Sequence, residues 1–339
     1  MRHAPRNART FPIALAAAGL ALFAALVHGV GIEGLIEDLR DFGWALAGVV
    51  AFELAIDACN TAAWRKTLPP FAPVGFALLF WVRQAGVAIN QLTPTATVGG
   101  EIAKAMLLRP RLPTAATGAS LVAARMSYAL GQAILVMLGL SAVLARTRDT
   151  PDLALAIVMA FVATVAGTIG FVWLQRRGIF APLVAAARRL GVARALLDRL
   201  YAGSEALDHQ LAGYYRDRPS AFLGSIAWHV AGQLVGLLQL AFILSALGTP
   251  TDLATCLAIE AFALVLDSAA FLVPGRIGVQ EAGRVLVFTT FGLGPATGLA
   301  VAVIIRLTQL VVAALGMTAF AVLSVAPPRA AAHADDVSP

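Results

Sequence analysis

The sequence predicts an all-α polytopic integral membrane protein, with about six full spans and two opposed re-entrant helical hairpins forming an inverted repeat. Three observations carry this. Of 339 residues, 59% are hydrophobic and only 13% charged, against roughly 25% charged in a soluble domain, so lipid must solvate most of the chain. Apolar runs fall near 11–30, 42–63, 72–90, 115–145, 152–175, 220–247, 253–273 and 297–325, and about 20 such residues cross a bilayer. Finally, a polar pattern occurs twice: Pro94 leads to Glu101 and Lys104, and Pro274 leads to Glu281 and Arg284. Charge and broken helix are costly in hydrocarbon, so their repetition points to a working site.

Arg2, Arg6 and Arg9 precede the first run. This resembles a signal peptide, but no Ala-x-Ala site follows, so 11–30 reads as an uncleaved first span. The loop 31–41 is acidic, with Glu33, Glu37, Asp38 and Asp41 against Arg40. Arg65 and Lys66 follow the second run, Arg109 and Arg111 follow the first polar pattern, and 176–218 holds eight Arg. The positive-inside rule places these basic stretches and both termini in the cytoplasm, in a multi-pass arrangement suited to the cell inner membrane. Arg146 and Arg148 then fall outside, beside Asp149 and Asp152.

Both ends of 70–113 are thus expected on one side. The runs 98–108 and 281–292 reach only about 17 Å at 1.5 Å per residue, so neither crosses alone. The segment 72–108 must enter and return, turning near 93–100, and 253–292 must do so from the opposite face, turning near 274–279. The repeat extends further. A span with an early Arg follows each hairpin, Arg125 and Arg306; the motif offset is 274 − 94 = 180 and the Arg offset 306 − 125 = 181. The expected organisation is a cytoplasmic N-terminus (1–10), one transmembrane domain (11–327) and a flexible tail (328–339). Repeat 1 occupies about 42–145, a cytoplasmic connector 176–218, and repeat 2 about 220–325. In 179–215, Leu183, Leu190 and Leu197 recur every seven residues among interleaved Arg. This suits either an amphipathic helix pair on the leaflet or a connecting helix packed on the spans.

At the first tip, Gly99 and Gly100 leave backbone N–H groups open at a helix start, where the dipole favours an anion such as a lipid phosphate. Glu101 opens that helix, Lys104 lies one turn on, and Asn90 flanks the tip. At the second tip, Gly275 and Gly278 free the backbone, Arg276 offers a fork for phosphate, and Glu281 and Arg284 repeat the pair. Each Glu–cation pair serves either substrate or mutual neutralisation. Glu53, Asp57, Arg83, Arg125, Glu260, Asp267 and Arg306 are further ionisable groups within apolar runs; Arg83 is expected to pair with Glu260 or Asp267, and Arg125 and Arg306 either with a motif Glu or with substrate.

Other classes are disfavoured. The net charge of +6 suits loop Arg contacting anionic lipid rather than nucleic acid, since no binding module accompanies it. Cys59 and Cys256 lie in apolar runs and read as buried small residues. His28, His209 and His229 lack metal-ligand spacing, and His229 beside Trp228 reads as interfacial. No nucleophile elbow, Walker loop, HExxH or dinucleotide fingerprint appears, so neither enzymatic activity nor a cofactor is expected.

The segments Asn90-Gln-Leu-Thr-Pro94, Gly99-Gly100-Glu101 with Lys104, and Pro274-Gly-Arg-Ile-Gly278-Val-Gln280-Glu281, together with Arg306, Gly316 and Trp64-Arg65, resemble the transmembrane, flippase-like module of the lysylphosphatidylglycerol synthases and its stand-alone relatives. The resemblance spans about 11–325. It implies movement of phospholipid between leaflets, with synthesis belonging to a separate domain whose activity is not carried over. Arg276 stands where many relatives have Gly, which puts a cation at the second tip. The expected substrate-binding set is Asn90, Pro94, Gly99, Gly100, Glu101, Lys104, Arg125, Pro274, Gly275, Arg276, Gly278, Gln280, Glu281, Arg284 and Arg306. The leading expectation is a lipid translocator whose partners are membrane phospholipids. The alternatives are a carrier of a small anion or solute, and a non-transporting membrane partner of a lipid-synthesising enzyme docked through 179–215.

Overall fold

The computed structural model describes residues 40, 42–92, 98–146, 151–189, 194–269 and 279–325. These form α1 (Ala45–Thr67), α2 (Phe76–Leu92), α3 (Val98–Leu108), α4 (Thr114–Arg146), α5 (Pro151–Arg176), α6 (Phe180–Arg189), α7 (Arg194–Asp217), α8 (Pro219–Ala246), α9 (Leu253–Ala269), α10 (Val279–Thr290) and α11 (Pro295–Val325). The expected span 11–30 and both hairpin turns lie outside the described residues.

Local chemistry sets the boundaries. Arg65 and Lys66 occupy the last turn of α1, where they complement the helix dipole, and Pro69-Pro70 follow. Pro219 sits in the first turn of α8, where its missing N–H costs nothing. Asp252 caps α9 by accepting from the Thr255 backbone N–H and hydroxyl; those bonds hold its carboxyl below the usual range. α8 and α10 both close on a left-handed glycine, Gly248 (φ 73°) and Gly292 (φ 76°), the conformation that ends helices without a Cβ penalty.

α1, α8, α11 and the Thr114–Leu140 part of α4 are long and apolar enough to cross a membrane. The expected span at 152–175 forms the 26-residue α5, which leaves Leu155, Met159, Val162, Ile169 and Trp173 exposed. In water that surface would be untenable; in lipid it is the expected exterior. The chain is therefore an integral, multi-pass helical membrane protein.

α1 pairs with α8, α2 with α11, and α9 with α4, so the first arm of each hairpin packs on the long helix of the other half. Glycines permit this close approach. A Cβ on Gly316 would meet the Gln84 carbonyl oxygen and lie 2.7 Å from the Ala88 Cβ. One on Gly139 would lie 2.6 Å from the Ala261 Cβ and 2.9 Å from the Leu257 carbonyl oxygen. These contacts correspond: 316 − 139 = 177, and 261 − 88 = 173.

The open ends of the hairpins lie at opposite ends of α1. Val74, Leu79, Leu108 and Leu112, from the base of α2–α3, pack with Trp64 and Leu68 at its C-terminal end. Cys256, Ile259, Val287 and Phe291, from the base of α9–α10, belong to one core with Phe42 and Val49 at its N-terminal end. α3 and α10, at 11 and 12 residues, are each too short to cross. Of the two readings of the connector, packing on the spans holds for its second half: Leu211, Tyr214 and Tyr215 of α7 are buried with Ala119 and Ala123 of α4. Burial pushes both tyrosine hydroxyls well above their usual pKa. Asp208 of α7 caps α6 by accepting from the backbone N–H groups of Phe180 and Ala181.

Candidate functional site: a charged cavity inside the bundle

α1 carries a polar stripe of Glu53, Asp57, Asn60 and Trp64, spaced at helical intervals so that one face points inward. Asp57, 4% exposed, forms an ion pair with Arg83 of α2 and accepts from Gln84 Nε2 at 2.7 Å. Arg83 thus pairs with Asp57 rather than with the expected Glu260; the side chain of Asp267, the other expected partner, lies outside the described residues. α2 packs directly on α1, which puts Asp57 within reach, whereas Glu260 is 3.8 Å from Arg284. Asn60 Oδ1 lies 2.8 Å from His229 Nδ1 of α8, and the His229 ring meets Tyr128 of α4 edge-on at 5.2 Å. His229 is 5% exposed while Trp228 is 42% exposed. The tryptophan is the exposed member of that pair, and the histidine is interior.

The first hairpin completes the site. Lys104 Nζ lies 2.8 Å from Glu101 Oε1 and 5.7 Å from the centre of the Trp64 ring. Arg125 of α4 stacks on Tyr128 at 5.8 Å. Together these residues line a cavity of about 300 Å³ with Glu53, Asp57, Arg83, Val87 and Leu121. Its lining carboxylates are Glu53, Asp57 and Glu101, and its cations Arg83, Lys104 and Arg125. The two signs balance in a space walled by apolar helices.

The glycine pair at the first tip plays a different part from the one its sequence suggests. The Gly100 N–H donates to Asn90 Oδ1 at 2.7 Å, so Asn90 caps α3 and that donor is taken. A Cβ on Gly100 would collide with the Gly86 carbonyl oxygen, so this glycine closes α3 onto α2. Gly99 also has a partner. The second motif is wired across helices. Glu281, 2% exposed, accepts from Arg306 Nη2 at 2.8 Å and Nε at 3.2 Å. Arg284 Nη1 lies 3.8 Å from Glu260 Oε1. Arg306 therefore pairs with a motif Glu, while Arg125 faces the cavity. Gln280 opens α10 and has a partner of its own. Pro94, Pro274, Gly275, Arg276 and Gly278 lie outside the described residues.

Glu281, Arg284 and Arg306 do not line the 300 Å³ cavity. The two halves meet instead through Glu53, which accepts from Gln239 Nε2 of α8 at 3.2 Å. Glu53, Asp57, Asn60, Trp64, Arg83, Tyr128 and His229 line the cavity but were missing from the expected substrate-binding set. The stripe 53–57–60–64, at helical spacing within an apolar span, is the signal that marks four of the lining residues.

The description "Lysylphosphatidylglycerol synthase TM region" matches residues 11–316. The chain belongs to this family. Searches of curated proteins and of solved structures returned no match. Membership in the lysylphosphatidylglycerol synthase transmembrane family makes this a membrane protein of lipid-related function.

Proposed function

We propose that the protein translocates a phospholipid between leaflets, with the headgroup passing through the cavity between α1, α2, α3, α4 and α8. The observation that carries this is the lining itself: three carboxylates and three cations facing one space inside an apolar bundle, where isolated charges are costly and mark pathways. Balanced charge suits a headgroup bearing both a phosphate and an amine. A lateral route supports a lipid over a soluble solute. α3 packs firmly on α2 but only lightly on α4, and Glu101 and Arg125 flank that seam, so a headgroup can enter while its tails stay in the bilayer. The swapped packing of the hairpins, with Gly139 and Gly316 in corresponding roles, supports an inverted repeat and hence alternating access.

Reconstitution with fluorescent phospholipids, read by accessibility to an impermeant quencher, tests this. Wild type should exchange lipid between leaflets, and a Glu101→Gln/Arg125→Gln variant that elutes as a folded monodisperse species should not. Equal exchange by both overturns the proposal. A carrier of a small solute would instead be stabilised thermally by soluble zwitterions and not by lipid.

A further inference from the structure

α1 has a second functional face. Opposite the polar stripe, Cys59 and Ala62 line a groove of about 580 Å³ together with Arg65 and Lys66, the apolar 68–76 segment, and Arg218 and Trp228 near the start of α8. Its chemistry is the reverse of the central cavity. Three cations line it, and no acidic residue does. Among the described residues, no carboxylate forms an ion pair with any of the three. The cations are nevertheless placed. Arg218 Nη1 donates to the Leu68 carbonyl at 2.6 Å, and its guanidinium lies 5.7 Å from the Tyr214 ring centre. The Lys66 stem runs across α8 at Gly224, where an added Cβ would lie 3.8 Å from Lys66 Cδ. Directly below the cations, the wall is apolar: Ala62, half-buried Cys59, and Trp228, which is 42% exposed.

Charge at the rim and hydrocarbon-compatible wall beneath it define one kind of occupant. We infer that this groove binds an anionic phospholipid of the adjacent leaflet, its phosphodiester against Arg65, Lys66 and Arg218 and one acyl chain along Ala62, Cys59 and Trp228. The lipid bridges α1 and α8, the two helices that also carry Asp57, Asn60 and His229. The site does not depend on translocation through the central cavity.

The test uses the purified full chain, with native mass spectrometry for lipid retention and thermal unfolding for stabilisation. Dioleoylphosphatidylglycerol is compared with dioleoylphosphatidylcholine and with soluble glycerol 3-phosphate. The expected result is one retained phosphatidylglycerol and a rise in unfolding temperature that phosphatidylcholine and glycerol 3-phosphate do not reproduce. Arg65→Gln/Lys66→Gln should weaken phosphatidylglycerol binding by roughly 30-fold at low salt. Arg109→Gln/Arg111→Gln, a basic pair outside the groove, should leave it unchanged. Equal effects of both lipids on wild type overturn the inference even if the first variant fails to fold. So does equal loss in both variants, or stabilisation by glycerol 3-phosphate alone, which would make this a soluble-anion site.

Discussion

The two hairpins share a motif but not a wiring. In the first, Glu101 and Lys104 satisfy each other along one helix, three residues apart, and the Glu101 side chain stays 39% exposed. In the second, the Glu281 side chain is 3% exposed and held by Arg306 from α11, while Arg284 turns to Glu260 of α9. A pair within one helix can open without moving any other element. A pair between helices is a clamp, and breaking it leaves a buried charge. The same letters thus supply a half-open pair within one helix in one half and a buried tie between helices in the other.

The clamp gives the largest expected effect. Glu281→Ala should destabilise the fold by on the order of 3 kcal/mol, the cost of stranding one partner of a buried pair, read as a lower midpoint of unfolding in detergent. Asp57→Ala should cost a similar amount, because it strands Arg83 and unbinds Gln84 together. A midpoint unchanged in either variant would remove the distinction between clamp and half-open pair. Next come the close approaches: Gly100→Ala and Gly316→Ala should each cost roughly 1–3 kcal/mol by overpacking backbone against backbone, with Gly167→Ala, which meets nothing within 4 Å, as the neutral control. Smallest is Glu101→Gln, expected to change stability by about 1 kcal/mol, since Glu101 is half-buried and the amide oxygen can still accept from the buried Lys104, while abolishing lipid exchange. Double-mutant cycles sharpen the contrast directly: Glu281 with Arg306 should show the larger coupling energy, and Glu101 with Lys104 the smaller.

Much of the architecture was legible because hydropathy over 20 residues is a strong signal. The runs 98–108 and 220–247 appear nearly unchanged as α3 and α8, and length alone identified α3 and α10 as elements that cannot cross. The site was legible only in part. Glu101, Lys104 and Arg125 do line the cavity, but Gly100 faces Gly86 rather than a ligand, and the α1 stripe that forms the opposite wall was scattered among other ionisable residues. His229 was misread because it was grouped with its exposed neighbour Trp228, and a helix turns by about 100° between adjacent residues, which sends them to different surroundings.

What the sequence determined by itself is the class of molecule and the positions of the helices, because hydrophobic length, proline and glycine punctuation and charge placement act locally. Partnership was decided only by the tertiary structure. Whether a glutamate meets the lysine one turn away or an arginine 25 residues later depends on which helices pack, and an ion pair in a low-dielectric interior forms wherever that packing first brings opposite charges within reach.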